Sequence, residues 1–174
     1  KGYASHDGRR CGTNRSGAGF LMTVDARKFR NALGQFATGV TIVTTMQENG
    51  EPAGLTANSF NSASIDPPLV LWSLDRTSSN LDAFMAADYF AVNVLSESQQ
   101  CLSNRFAVSE DDRFVGIEFR QGQGGMPLLP GCAARFQCKT TYRYEGGDHI
   151  IFVGEVLEFD NFDRPPLIFH SGKY

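Results

Sequence analysis

Short hydroxyl and amide side chains crowd one stretch of this chain, Gly54-Leu55-Thr56-Ala57-Asn58-Ser59-Phe60-Asn61-Ser62-Ala63-Ser64-Ile65-Asp66-Pro67-Pro68-Leu69-Val70. Beside a strand, side chains of this kind leave backbone N–H groups within reach of a ligand. A flat, polar-edged molecule gripped mostly by main chain is the chemistry they suit. The stretch reads as strand, ligand-holding loop, strand. Proline forces the residue before it towards extended geometry, so Asp66-Pro67-Pro68 closes the loop and Leu69-Val70-Leu71-Trp72 follows as a buried strand. A second polar group, Thr77-Ser78-Ser79, precedes a short helix marked by Leu81, Phe84 and Met85. Ser79 and Asp82 have capping-box spacing there, and a helix N-terminus so dressed attracts anions. His149 stands just after the turn Gly146-Gly147-Asp148.

No familiar engine accompanies these groups. There is no G-x-G-x-x-G after a strand, no P-loop and no G-x-S-x-G, and no Ser/His/Asp order is marked. Gly122-Gln123-Gly124-Gly125 sits in a loop without a helix behind it. Cys11, Cys101, Cys132 and Cys138 form no C-x-x-C pair and the three histidines are far apart, so no metal site is expected. The cysteines read as reduced structural thiols of an intracellular protein, with a disulfide as the alternative. A chain rich in ligand-holding loops and poor in nucleophiles fits a cofactor that does the hard chemistry while the protein orients it.

The elements that must position these residues are mostly strands. Residues 25–36 predict a helix, capped by Asp25, with Phe29, Leu33 and Phe36 as its apolar stripe. Val40-Thr41-Ile42-Val43-Thr44-Thr45 is β-branched throughout, and Asn49-Gly50 predicts a hairpin to a partner strand over 53–58. Further strands are expected at 69–74, 89–95, 133–144, 149–159 and 167–169. Ser96 and Gln99 form a second capping box, opening a helix that buries Leu102 and Phe106. The long polar connection 108–130 holds at most a short strand near 117–119. Six or seven strands and three short helices, without β–α–β alternation, predict a mainly β domain: an antiparallel barrel with peripheral helices.

At 174 residues the chain is long enough for one sizeable core, and its fourteen Phe predict aromatic walls for it. A net charge of −3 without a basic block argues against nucleic acid as a partner. No apolar run approaches the roughly 20 residues of a membrane helix. Residues 1–21 are rich in Gly, Ser, Arg and Asn and lack periodicity. They are expected to be a disordered or foreign extension, with Met22 as a natural start, and the domain to occupy 22–174.

Four segments occur here in one order: Phe36-Ala37-Thr38-Gly39-Val40-Thr41-Ile42-Val43-Thr44, residues 54–70, Tyr89-Phe90-Ala91-Val92-Asn93-Val94-Leu95, and Gly147-Asp148-His149 with Gly154-Glu155-Val156. Together they resemble the flavin reductase family, which includes the reductase components of two-component flavin monooxygenases. The resemblance runs from about residue 24 to the C-terminus. It implies an FMN-binding split barrel, Greek-key-like, usually a homodimer and cytoplasmic. It implies hydride transfer from NADH or NADPH to FMN or FAD, with reduced flavin passed to a partner oxygenase. It implies that Thr56, Ala57, Asn58 and Ser59 line the flavin, with Thr38 and Val40 near the ring and Phe106 flanking it. Ser62, Ser73, Ser79 and Asn80 would hold the ribityl and phosphate end. His149 would face the nicotinamide nucleotide, as the catalytic candidate, and Tyr174 would close the site. The competing readings are a pyridoxamine-phosphate-oxidase-like enzyme, a non-catalytic flavin or haem carrier with His149 or His170 as axial ligand, and a pure interaction module.

Overall fold

The computed structural model describes residues 24–108 and 113–174; the expectations for residues 1–21, Met22 and Cys11 lie outside them. The first helix, α1 (Ala26–Leu33), starts where its sequence predicts. The Asp25 carboxylate accepts from the N–H of Arg27 at 3.0 Å and of Lys28 at 3.1 Å, satisfying two donors that a helix start leaves unpaired. The helix is shorter than the expected 25–36, and its stripe lies open: Phe29, Leu33 and Phe36 are each more than half exposed.

After β1 (Thr38–Gly39), the β-branched run forms β2 (Thr41–Met46), buried from Thr41 to Thr45. Gly50, at φ 83°, supplies the left-handed residue of the hairpin into β3 (Pro52–Ala57). The chain then passes through Asn58, Ser59 and Phe60 into β4 (Asn61–Ile65), and turns at Asp66-Pro67 into β5 (Pro68–Asp75). The ligand-holding loop is therefore much shorter than expected. Asn61-Ser62-Ala63-Ser64 carries no apolar alternation, yet its backbone pairs with β5 and ends the sheet as an exposed edge.

Two short elements follow, α2 (Leu81–Ala86) and β6 (Tyr89–Val94). The Ser79 capping box does not form. Asn80 is the N-cap, without a side-chain cap bond, because the preceding turn satisfies itself: Leu81 N donates to Ser78 O and Asn80 N to Ser78 Oγ. At the next helix the capping residue does return: Gln99 Oε1 accepts from Ser96 N at 3.0 Å, and the turn runs on into α3 (Gln100–Ala107). In the long connection the pairing is between β7 (Arg120–Gln121) and β8 (Pro127–Leu128), not near 117–119. The two longest strands, β9 (Ala134–Gly146) and β10 (His149–Asn161), form a hairpin at Gly147, and β11 (Ile168–Phe169) returns to pair with β1.

Seven strands make one antiparallel sheet in the order β3-β2-β6-β9-β10-β5-β4. The fold is mainly β with few helices. Among the described residues no ladder joins the edge strands β3 and β4. The core on one side of β5 is aromatic, as the Phe content predicts. Trp72 stacks on Phe152 at 4.8 Å and meets Phe84 edge-on at 4.9 Å, and all three are buried. Gly154 of β10 faces this cluster. A Cβ there would stand 2.4 Å from the Phe90 ring, so only glycine lets the ring lie against the strand.

Candidate functional site

A cavity of about 400 Å³ opens on the polar side of β5. Its wall is formed by Leu55, Thr56, Ala57, Asn58 and Ser59 at the end of β3, Ser73, Leu74 and Asp75 of β5, Thr77 and Ser78 of the following turn, Ala107 of α3 and His149 of β10. Strand geometry explains the convergence. Side chains alternate along β5, so Trp72 enters the core while Ser73 and Asp75 share the other face. The antiparallel register places His149 opposite Asp75 and Ile151 opposite Ser73, which brings a residue more than seventy positions away onto that face.

The hydroxyls in this wall are mostly committed to main chain. Ser59 Oγ donates to Ser73 O at 3.1 Å and accepts from Ser73 N at 3.0 Å, stitching the end of β3 to β5. Thr56 Oγ1 donates to the Ser103 carbonyl at 2.7 Å. Thr77 donates both its N–H and its hydroxyl to Asp75 Oδ1, each at 2.7 Å. These two bonds hold the Asp75 carboxyl below its ordinary 3.8, against a smaller opposing effect of burial, and the nearby His149 adds to the lowering. His149 Nδ1 meets Asp148 Oδ1 at 2.8 Å; both side chains are open to water, so the contact orients the ring more than it stabilises the fold. Arg76 secures the same turn, through its N–H to Asp148 O and its Nε–H to Gly147 O.

Of the residues singled out in the sequence, Thr56, Ala57, Asn58, Ser59, Ser73 and His149 come together here. Ser79 and Asn80 face a second, neighbouring cavity of about 570 Å³, with Gly54, Arg113 and Phe114. The two cavities meet at consecutive residues, Gly54 and Leu55 on β3 and Ser78 and Ser79 in the turn. Four of the expected residues lie outside this wall. Val40 and Phe106 are 2 % and 1 % exposed and belong to the core, where Phe106 packs edge-on against Phe114. Ser62 lies on the open edge strand β4. Thr38 pairs with Phe169 away from the cavity wall, its hydroxyl buried and without a hydrogen-bond partner among the described residues. Tyr174 is half-open, its hydroxyl 2.7 Å from Ser103 Oγ. Sequence reasoning missed Asp75 and Ala107. Asp75 was within reach of strand alternation from Ser73; nothing local distinguishes Ala107.

Among the described residues no three His, Cys, Asp or Glu side chains gather as a metal site. Burial pushes the thiols of Cys132 and Cys138 up to about 11 and about 12, leaving them unreactive, while Cys101 is exposed.

A mainly β domain whose polar cavity is walled by main chain and small hydroxyls, with few acids or bases, has the chemistry to suit a planar cofactor or substrate. Comparison makes that class specific. The family described as flavin reductase like domain matches residues 33–174, and the chain belongs to it. It is 46 % identical over 150 residues to an FMN reductase (NADH) of Agrobacterium fabrum, across 86 % of this chain and 85 % of that protein. It is 43 % identical over 148 residues to the reductase component of a flavin-dependent trigonelline monooxygenase of Acinetobacter baylyi, across 85 % of this chain and 48 % of that protein. The chain thus spans about half the length of some of the curated relatives it matches. Among solved structures it is similar to the NADH:FAD oxidoreductase of Streptomyces globisporus bound to NAD and FAD fragments, with a TM-score of 0.80 and 38 % identity over 85 % of this chain and 90 % of that one.

Proposed function

We propose that this chain is an NAD(P)H-dependent flavin reductase that supplies reduced flavin to a partner monooxygenase. The observation that carries the reading is the convergence of Thr56, Ala57, Asn58, Ser59, Ser73 and His149 on one cavity, in a chain whose relatives are named for reducing FMN or FAD with NADH. The cavity fits such a ring. Its volume lies within the roughly 300–1,000 Å³ of small-molecule sites, and the alanines at 57 and 107 leave space. The Asn58 side chain makes no hydrogen bond among the described residues, so its amide is available to a polar edge. Bound there, flavin supplies the acceptor for a nicotinamide hydride.

The protein's part is to hold and orient. Main chain at 56–59 would grip the ring edge, kept in place by the Ser59 bonds to Ser73. Ser78, Ser79 and Asn80 would take the tail, which can run from the first cavity into the second. His149, its Nδ1 tied to Asp148, would offer Nε2 to the nicotinamide nucleotide. Such a transfer needs close, dry stacking of two rings more than a strong acid or base, which accounts for the missing dyad.

The same reading covers the finer architecture. The sheet would curl into the family's Greek-key-like split barrel, its edges drawn together where Ser59 bridges to Ser73. The exposed Phe29, Leu33 and Phe36, with Tyr142, Tyr144 and Phe159, would be covered by a second copy in a homodimer. A cytoplasmic setting, where NAD(P)H is available, completes the proposal; among the described residues no helix is long and apolar enough to cross a membrane.

The test is anaerobic oxidation of NADH and of NADPH, with and without added FMN or FAD. Nucleotide loss that requires free flavin is the expected result, and the better pairing names the flavin and the donor. Flavin binding without turnover on any donor would overturn the reductase reading.

A further inference from the structure

We propose that Ser103, on α3, is a positioning residue for the flavin: its main-chain carbonyl ties α3 to β3 across the cavity, and its hydroxyl couples that tie to Tyr174. The proposal rests on the reductase reading of that cavity.

Ser103 is wholly buried, yet both of its polar groups face the site's supports. Its carbonyl accepts from Thr56 Oγ1 at 2.7 Å, and its hydroxyl shares a hydrogen bond with the Tyr174 hydroxyl, also at 2.7 Å. Thr56 lines the cavity from β3. Ala107 lines it from α3, four residues after Ser103 and so on the same helical face. The main-chain carbonyl of Ser103 therefore joins the two walls, and its side chain ties that junction to Tyr174. A helical serine commonly spends its hydroxyl on its own helix; this one reaches a residue seventy-one positions away. The Tyr174 ring in turn packs on Phe169 of β11 at 5.2 Å. The link thus runs from the cavity wall through Ser103 to the small β1–β11 ladder.

The linkage separates a positioning role from a structural one. In Ser103→Ala the Tyr174 hydroxyl, on a side chain 42 % exposed, turns to water, and in Tyr174→Phe the buried Ser103 hydroxyl can turn to a carbonyl of its own helix, so the fold loses little in either. What is lost is the tie of α3 to Tyr174; the Thr56 bond to the Ser103 main-chain carbonyl stays but is no longer braced, which loosens the fit of whatever lies between Thr56 and Ala107.

The experiment compares the native protein with Ser103→Ala, Tyr174→Phe and the double variant. FMN and FAD affinity is read by quenching of flavin fluorescence, and NADH oxidation is followed over a range of flavin concentrations. Each single variant is expected to weaken flavin binding about fivefold. The double variant should be no weaker than the worse single, as for one shared interaction. The KM for flavin should rise by the same factor while kcat stays within about twofold of native. Single variants that bind flavin as the native protein does, or a double variant whose loss is the product of the two, would overturn the proposal. If Ser103→Ala does not fold, Tyr174→Phe, at a side chain half open to water, decides by the same criterion. Native protein that binds flavin without oxidising NADH refutes the reductase reading and leaves the binding comparison to decide on Ser103. Native protein that binds no flavin refutes both.

Discussion

Trp72 and Ser73 are neighbours in β5, and the two faces they serve are built on different physics. On the Trp72 side, Phe84, Phe90 and Phe152 close around the indole, and Gly154 makes room for the Phe90 ring. Packing of this kind is set by volume and apolar area, and small changes in shape are felt at once. On the Ser73 side, residues are small, hydroxyls are tied to carbonyls and amides, and space is left open. Stability is concentrated on one face, and the recognition proposed above falls on the other. The strand between them transmits position: a well-packed Trp72 fixes where Ser73 and Asp75 stand.

The largest expected effect falls on the packed face. Trp72→Ala should cost about 3–5 kcal/mol, read as a lower midpoint in denaturant unfolding, with flavin binding lost only because the fold is lost. A variant that stays as stable as the native protein would break the division between the faces. Next in size is Ser59→Ala. It leaves Ser73 N and Ser73 O without their partner, at a cost of roughly 1–3 kcal/mol, and it frees the end of β3. Flavin affinity should fall about tenfold or more, with a smaller loss of thermal stability than for Trp72→Ala; the reverse ranking would contradict the assignment.

His149→Asn sharpens the polar face itself. Loss of one nucleotide contact predicts a rise of about fivefold to tenfold in the KM for NADH, near 1–1.4 kcal/mol, with flavin affinity unchanged. Equal losses for both ligands would place His149 in the flavin wall instead. The smallest effect belongs to Thr77→Val. The Asp75 carboxyl sits below 3.8 in the folded protein because Thr77 donates to it, so its contribution is present above the unfolded value and lost as pH falls through the folded one. Removing the hydroxyl should move the Asp75 titration upward by carboxyl NMR and lower stability slightly above about pH 5, where the group is ionised in both states and the lost bond counts in full, with the difference from the native protein fading as pH falls through the folded value.

Much of the packed face was legible in the sequence and less of the open one. The β-branched run 40–45, the Asn49-Gly50 turn and the long 133–159 hairpin announce themselves through propensity and turn chemistry, which tertiary contacts reinforce. Strand β4 did not, because Asn61-Ser62-Ala63-Ser64 is held by backbone pairing alone and an exposed edge needs no apolar pattern. Ser79 looked like a cap by spacing, but Ser78 already serves the backbone at that turn, so the spacing carried no bond. Val40 and Phe106 show the converse limit: an apolar side chain beside a ligand loop has the same local signature whether it enters the core or the wall. The polar residues 56–59 were found because hydroxyls and an amide so close together are unusual. Ala107 and the register that aligns His149 with Asp75 depend on the sheet as a whole.

The central claim is that the open face of β5, bounded by β3 and α3, is where flavin sits. Ala107→Trp tests it most directly, since this side chain is exposed on α3, lines the cavity and takes no part in the core. Flavin titration by fluorescence quenching, run beside a thermal melt, is the measurement. The account predicts that flavin binding and flavin-dependent NADH oxidation are lost while the melting temperature stays within a few degrees of native. Native flavin affinity in a folded Ala107→Trp protein would contradict it, and would move the site away from this face.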